Sequence, residues 1–411
     1  MKIRTGDRIR IRGSIDVGAS KSISNRILLL KALYNGNFIL GNISDSADTR
    51  YLQAALEGSD VHLFAGDGGT VARFLMVYAA SQEQEMQIDG TARLRERPIA
   101  KLAEALQEAG VQISYLEKEG YLPLQIKGVA PKSGLTLRID QPESSQFISA
   151  LLMWLAGKGG LLQFRGELSY SYIQLSLNIL QMFYVGHEVG MDEEGWIRIR
   201  IGPGTPVFPE VFVVENDWSS ACFWMGMLAQ MEKGAEVELV GLQTDSLQPD
   251  AGMQEYFAML GVKISDSEAG ILLRKIADPD VREMYFDLYN MPDAFPILAC
   301  TCAAMGIKAD FDGLQSLVYK ESNRLESVAD GLRKLGVEVE HNGLDQFSIL
   351  GGKVEKKGQA IDSYQDHRIA MAFASMVGVD GEVEILNPEV VDKSYPDFWK
   401  QMKEFVEGIE I

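Results

Sequence analysis

The chain has 411 residues, 46% of them hydrophobic, which supplies a sizeable core for about two or three domains. Its net charge of −19, from 58 acids against 39 Lys plus Arg, excludes general nucleic-acid binding, which needs a basic face, but permits a small anionic ligand where bases cluster. Three cysteines, Cys222, Cys300 and Cys302, offer no disulfide framework and read as buried thiols in a reducing cytosol.

In chain order, the opening MKIRTGDRIRIRG alternates bases with isoleucines and predicts a strand; it lacks the apolar core of a signal peptide. No uncharged run reaches the roughly 18 residues of a membrane span. The reading is a cytoplasmic protein that touches neither membrane nor nucleic acid.

Beyond the first strand, helix stops followed by strands recur at Gly110, Gly186, Gly261 and Gly336, about 75 residues apart. An interleaved series falls at Gly160, Gly234, Gly306 and Gly381, with an earlier member at Gly36, while Gly58 supplies an earlier member of the first series. The pattern predicts six βαβαβ-like units grouped three and three, with hinges at Gly13 to Ser20 and Val214 to Asp217.

Helix starts are predicted at SKSISNR, GDGGTVAR, ESSQFIS, DWSSACF, MPDAFPI and QDHRIAM, each with Ser, Thr or Asp at a plausible cap, and at RERPIAK, LSYSYIQ, YKESNRL and DKSYPDF. Bases recur in these starts: Lys21, Arg26, Arg73, Arg97, Lys320, Arg324, Arg368 and Lys393. A cation at the positive end of a helix is awkward unless an anion lies there too, so the pattern points to a polyanion site.

Two acids share those starts, Asp293 and Glu321, and either could move a proton. The competing roles are an N-terminal cap for Asp293 and a salt bridge to Arg324 or Lys320 for Glu321. His367 is the one histidine in such a start, whereas His62, His187 and His341 lie in strand-like stretches and read as structural. No spacing fits a metal site, and neither Gly157-Lys158 nor Gly352-Lys353 continues to Ser or Thr as a nucleotide loop requires.

Eight stretches in order now carry a resemblance: KSISNR, GDGGTVAR, RERPI, SSQF, MPDA, YKESNR, DHRIAM and DKSYPDF. With them the chain resembles the 5-enolpyruvylshikimate-3-phosphate synthase family nearly end to end. The resemblance implies an α/β, two-lobed enolpyruvyl transferase fold of six βαβαββ subdomains, three per lobe, with helix N-termini facing an inter-lobe cleft. One lobe is expected from residues 1–20 plus 216–411 and the other from 21–215.

It also implies enolpyruvyl transfer from phosphoenolpyruvate to the 5-hydroxyl of shikimate 3-phosphate, with no metal or organic cofactor, by a monomer. Asp293, Glu321 and Lys21 are the implied catalytic residues. Lys21, Ser22, Arg26, Ser144, Ser145, Gln146, Ser169, Asp293, Ser316 and Lys320 are the implied shikimate-phosphate contacts. Lys21, Gly69, Arg97, Gln146, Arg324, His367, Arg368 and Lys393 are the implied phosphoenolpyruvate contacts.

The pattern departs from the family at Asp67, where an amide is usual, at Phe74, usually proline, and at Ser316, commonly asparagine. A carboxylate beside a substrate anion is repelled. Asp67 is therefore expected to turn away, capping the helix or pairing with Arg73 or Arg97, while Gly68, Gly69 and Thr70 offer backbone N–H groups to phosphoenolpyruvate. The alternatives are the sister enzyme acting on UDP-N-acetylglucosamine, which usually carries a reactive cysteine that this chain lacks before Cys222, and a non-catalytic anion-binding protein, which would not need Asp293 and Glu321.

Overall fold

The structure is a computed structural model that describes residues 1–129, 132–166 and 168–411. The chain forms two compact units, Met1–Ser20 with Glu215–Ile411, and Lys21–Val214. Where it passes between them its two segments are tied together: Ser20 N–H donates to Glu215 O at 2.8 Å, Asp217 N–H donates to Gly18 O at 2.8 Å, and Ala19 bridges Asn216.

Among the described residues, the unit containing both termini holds three four-stranded sheets, and the Lys21–Val214 unit holds two four-stranded sheets and one two-stranded sheet. The predicted N-terminal strand is present as Lys2–Ile11, antiparallel to both Gly381–Ile385 and Val406–Glu410. The sixth sheet is smaller than an even repeat predicts, because Ile39–Gly41 pairs only with Val211–Val213, from the far end of its unit.

Each four-stranded sheet joins one parallel pair to antiparallel neighbours. Leu135–Asp140 runs parallel to Gly160–Arg165, for example, and His62–Phe64 to Met86–Asp89. A parallel pair needs a crossover, and a helix supplies it. Gly69–Ala80, Ser145–Leu155, Trp218–Ala229, Phe295–Ala304 and His367–Ala374 are these crossover helices. Their starts are five of the ten that the sequence singles out, and each start follows the carboxyl end of a strand, where α/β folds place ligands.

The crossover helices are apolar on nearly every side, since they form the interior of their units. From Trp218 to Ala229 only Ser219 is not buried, and Phe295–Ala304 is buried through Ala303. Gly331 lets the Arg324–Lys334 helix lie against His367–Ala374: a Cβ there would collide with the ring of Phe373. That close approach brings Arg324 to Asp366.

Three predicted stops are left-handed glycines, with φ of 97° at Gly110, 85° at Gly261 and 88° at Gly336. The fourth differs. Tyr184, at φ 62°, ends the Ser171–Met182 helix ahead of Gly186. Side-chain caps are fewer than expected: Ser144, Asp217, Asn323 and Asp366 cap their helices, but Gly68 and Ala294 occupy cap positions without a side-chain bond. No helix among the described residues is long and apolar enough to cross a membrane.

Candidate active site

In the Lys21–Val214 unit, Lys21 is the first residue of the Lys21–Leu33 helix. Its Nζ lies 3.1 Å from Asp48 Oδ2, on the Ala47–Glu57 helix capped by Ser46. Asp48 has no role in the sequence reading, because nothing local marks a carboxylate that a distant lysine will meet. Its Oδ1 abuts the next helix start, 2.9 Å from where a Cβ on Gly68 would sit.

Gly69 opens the Gly69–Ala80 helix beneath Arg97, and a Cβ on Gly69 would lie 2.5 Å from Arg97 Nη1. A Cβ there would push that guanidinium aside. Arg97, 8% exposed, has no carboxylate within 4 Å among the described residues. A half-circle of amide hydrogens with a buried cation over it suits an anion.

Asp67 departs from expectation. It caps no helix, since Gly68 holds the cap position; it is exposed and accepts a hydrogen bond from the Thr91 hydroxyl. Thr91 also accepts from Leu94 N–H, capping the short Ala92–Arg95 helix that leads to Arg97. An amide oxygen can accept the same bond, so Asp67→Asn is expected to change the affinity of this helix start for a phosphate-bearing anion by less than about threefold. A tenfold gain in binding assays would show that the carboxylate had faced the anion.

Arg26, 3% exposed, is held by neutral acceptors: Ser176 Oγ at 2.8 Å, Ser22 O at 2.9 Å, Tyr172 O at 3.2 Å and Ser149 Oγ at 3.3 Å. Ser176 also donates to Ser149 at 2.9 Å, so three helices grip one guanidinium. Burial lowers the Arg26 pKa to about 10, and only the Coulombic effect of Tyr172 opposes it. A buried cation without a carboxylate is what an anionic ligand stabilises.

Ser144 caps the Ser145–Leu155 helix, accepting from Gln146 N–H at 3.2 Å, so the capping and binding roles converge on one hydroxyl. Gln146 Oε1 is buried without a hydrogen-bond partner among the described residues. Ser169 Oγ lies 2.9 Å from Ser171 Oγ, just ahead of the Ser171–Met182 helix. Arg73 does not join an anion site: it is 2% exposed and turns inward, donating to Gly69 O at 3.1 Å and Pro98 O at 2.9 Å over the ring of Phe147.

In the unit containing both termini, four cations and three carboxylates interlock. Asp293 Oδ1 lies 2.6 Å from Arg324 Nη1 and 3.0 Å from Lys320 Nζ, and Asp293 Oδ2 lies 3.7 Å from Arg368 Nη2. Glu321 meets Arg324 at 2.9 Å and Lys393 at 2.9 Å. Asp366 accepts from Arg324 Nε at 2.8 Å and caps its helix through Arg368 N–H at 2.9 Å.

The competing roles for the two acids fare differently. Glu321 does pair with Arg324, whereas Asp293 caps nothing and sits among cations on the short Pro292–Ala294 turn. Burial would raise the Asp293 pKa, but Lys320, Arg368 and Arg324 outweigh it and hold the carboxyl well below the usual carboxylate range.

Arg324, 1% exposed, directs Nε and both Nη groups to carboxylates, which makes it the hub of the acids as well as a candidate ligand contact. His367, 2% exposed, has Nδ1 3.8 Å from Asp366 Oδ1. Ser316 lies on the Gln315–Tyr319 turn before Lys320, its Oγ buried with no partner among the described residues. Asp366, visible in QDHRIAM only as a cap, turns out to be the carboxylate that fixes Arg324.

A family model for EPSP synthase (3-phosphoshikimate 1-carboxyvinyltransferase) matches residues 51–402. The chain belongs to the EPSP synthase family. A 3-phosphoshikimate 1-carboxyvinyltransferase of Bacteroides fragilis is 37% identical over 408 residues, covering 98% of this chain and 97% of the relative. The EPSP synthase of Acinetobacter baumannii shares the fold at a TM-score of 0.77 and 22% identity, covering 100% of this chain and 99% of that one. The enolpyruvyl transferase NikO from Streptomyces tendae shares it at a TM-score of 0.70 and 13% identity, over 100% and 98%.

Proposed function

We infer that this chain transfers the enolpyruvyl group of phosphoenolpyruvate to the 5-hydroxyl of shikimate 3-phosphate, releasing phosphate. The observation that carries the reading beyond family membership is the pair Asp293 and Glu321, both held among Lys320, Arg324, Arg368 and Lys393. An anion-binding protein needs the cations alone. The reading carries the family's two lobes of three βαβαββ subdomains each.

In this reading the hydroxyl adds to the substituted enol carbon while the methylene carbon gains a proton, and the tetrahedral adduct then loses phosphate with return of that proton. Asp293 takes the hydroxyl proton, Glu321 serves the methylene carbon, and Lys21 touches both substrates. Ser22, Arg26, Ser144, Ser145, Gln146, Ser169, Ser316 and Lys320 hold shikimate 3-phosphate. Gly69, Arg97, Gln146, Arg324, His367, Arg368 and Lys393 hold phosphoenolpyruvate.

Guanidinium groups suit both tasks, since their fixed forks bind phosphate and carboxylate and need no reorganisation as the adduct forms. Arg26 and Arg97 support the reading most directly, because each is a buried cation with no carboxylate beside it among the described residues. The test is phosphate release from phosphoenolpyruvate by purified protein. Release is expected only when shikimate 3-phosphate is present; release independent of it, or none, overturns the function.

A further inference from the structure

Asp250 has no part in the roles assigned above, yet it is 2% exposed and a chain of contacts leads from its carboxyl to Arg368. It lies in the Pro249–Gly252 turn, fixed against the start of the Trp218–Ala229 helix. Gln248, next to that turn, accepts from Trp218 N–H at 3.2 Å and donates to Asn216 O at 2.7 Å. With the turn so placed, the Ser219 hydroxyl donates to Asp250 Oδ2.

Ser219 Oγ in turn accepts from Arg368 Nη2 at 3.1 Å, and Arg368 Nη1 donates to Asp293 O at 3.0 Å. A serine hydroxyl carries one hydrogen. Committed to Asp250, that hydrogen cannot point at the guanidinium, so Arg368 always meets a lone pair. Two acceptors then fix the plane of the guanidinium, and its remaining N–H groups keep one direction.

The environment of Asp250 fits this task. Its Oδ1 is buried with no hydrogen-bond partner among the described residues, which leaves Ser219 as the carboxylate's hydrogen-bond partner among them. Burial raises the carboxyl's pKa and the nearby Arg368 charge opposes that rise, so the two groups are coupled electrostatically as well as through the hydroxyl.

We propose that Asp250 is a positioning residue that acts through Ser219 to hold Arg368 in the orientation that binds phosphoenolpyruvate. The proposal rests on the reading of Arg368 as a phosphoenolpyruvate contact. Asp250→Asn keeps the shape but lets an amide N–H meet Ser219, freeing the hydroxyl hydrogen to turn toward Arg368.

The test is steady-state kinetics of the full chain as wild type, Asp250→Asn, Ser219→Ala and the double variant, with melting temperatures alongside. Each single variant is expected to raise the Michaelis constant for phosphoenolpyruvate about tenfold, the scale of one charge-assisted hydrogen bond, and that for shikimate 3-phosphate less than about twofold. The double variant should be no worse than the worse single, because both cut one chain.

Multiplied effects in the double variant, equal losses for both substrates, or an unchanged constant for phosphoenolpyruvate in Ser219→Ala would each overturn the proposal. Ser219→Ala alone decides the matter if Asp250→Asn does not fold. A wild-type protein without shikimate-3-phosphate-dependent turnover overturns the functional reading instead, and with it the ligand named here.

Discussion

Arg324→Ala is expected to destabilise the unit that carries both chain ends by about 3–5 kcal/mol, the usual loss when one partner of a buried ion cluster is removed. The guanidinium is 1% exposed and touches Asp293, Glu321 and Asp366. Without it, Asp366, with no side-chain exposure, keeps among the described residues the Ser322 hydroxyl, its cap to Arg368 N–H and the more distant His367. Arg324→Lys should recover little, since one ammonium cannot span three carboxylates as a planar fork does. Urea denaturation measures this, and a loss below about 1 kcal/mol would contradict the hub.

The same cluster sets a sign for acid stability. Asp293 has a pKa held below its unfolded value near 3.9, so its contribution is full above that value and is lost as pH falls through the depressed native one. Burial lowers the Arg324 pKa, but Asp366, Asp293 and Glu321 raise it further than burial lowers it, so the hub stays charged throughout. Acid unfolding of the wild type therefore belongs below about pH 4, and Arg324→Ala should move it upward.

The largest kinetic effect is expected from Asp293→Asn, a fall in kcat of about 10²–10⁴-fold, the range that a positioned general base contributes. A carboxylate held well below its usual pKa is a weak base, which at first sight disfavours the role. The cations that depress it are also the ones assigned to the substrate anions. Phosphate and carboxylate arriving at Lys320 and Arg368 would cancel part of their field and strengthen Asp293 as a base when the hydroxyl is in place.

It follows that the acid limb of kcat, which reports the substrate complex, should lie at higher pH than the acid limb of kcat/KM, which reports the free enzyme. Coincident limbs would contradict this account. So would an Asp293→Asn protein with more than about a tenth of wild-type kcat.

What the sequence carried best was anything local. Helix starts at Ser144, Asp217 and Asp366 could be read because a cap is a short-range device, one side chain meeting an amide two or three residues on. The cationic members of the site were legible for a related reason, since a base at a helix start is unusual by itself.

Pairings between residues distant in the chain were not legible. Asp48 meets Lys21, and Asp250 reaches Arg368, only after separate segments pack, and neither acid sits in an unusual local pattern. Arg73 resembled its neighbours in sequence, but one face of the Gly69–Ala80 helix turns into the core and takes Arg73 with it. Asp67 likewise found Thr91 rather than a cap, because the chain brings the Thr91 turn against the loop: Thr91 N–H donates to Gly66 O at 3.0 Å.

The pairing of Lys2–Ile11 with Gly381–Ile385 and Val406–Glu410 has a consequence for synthesis on the ribosome. That strand is completed by residues made about 370–400 positions later, so at about 5–20 residues per second it waits on the order of 20–80 s for its neighbours. Lys21–Val214, by contrast, is a contiguous stretch that can begin to close as soon as it has emerged. Through that interval Lys2–Ile11 is an open strand edge, and its four arginines and lysines, Lys2, Arg4, Arg8 and Arg10, supply the charge that discourages pairing with another nascent chain.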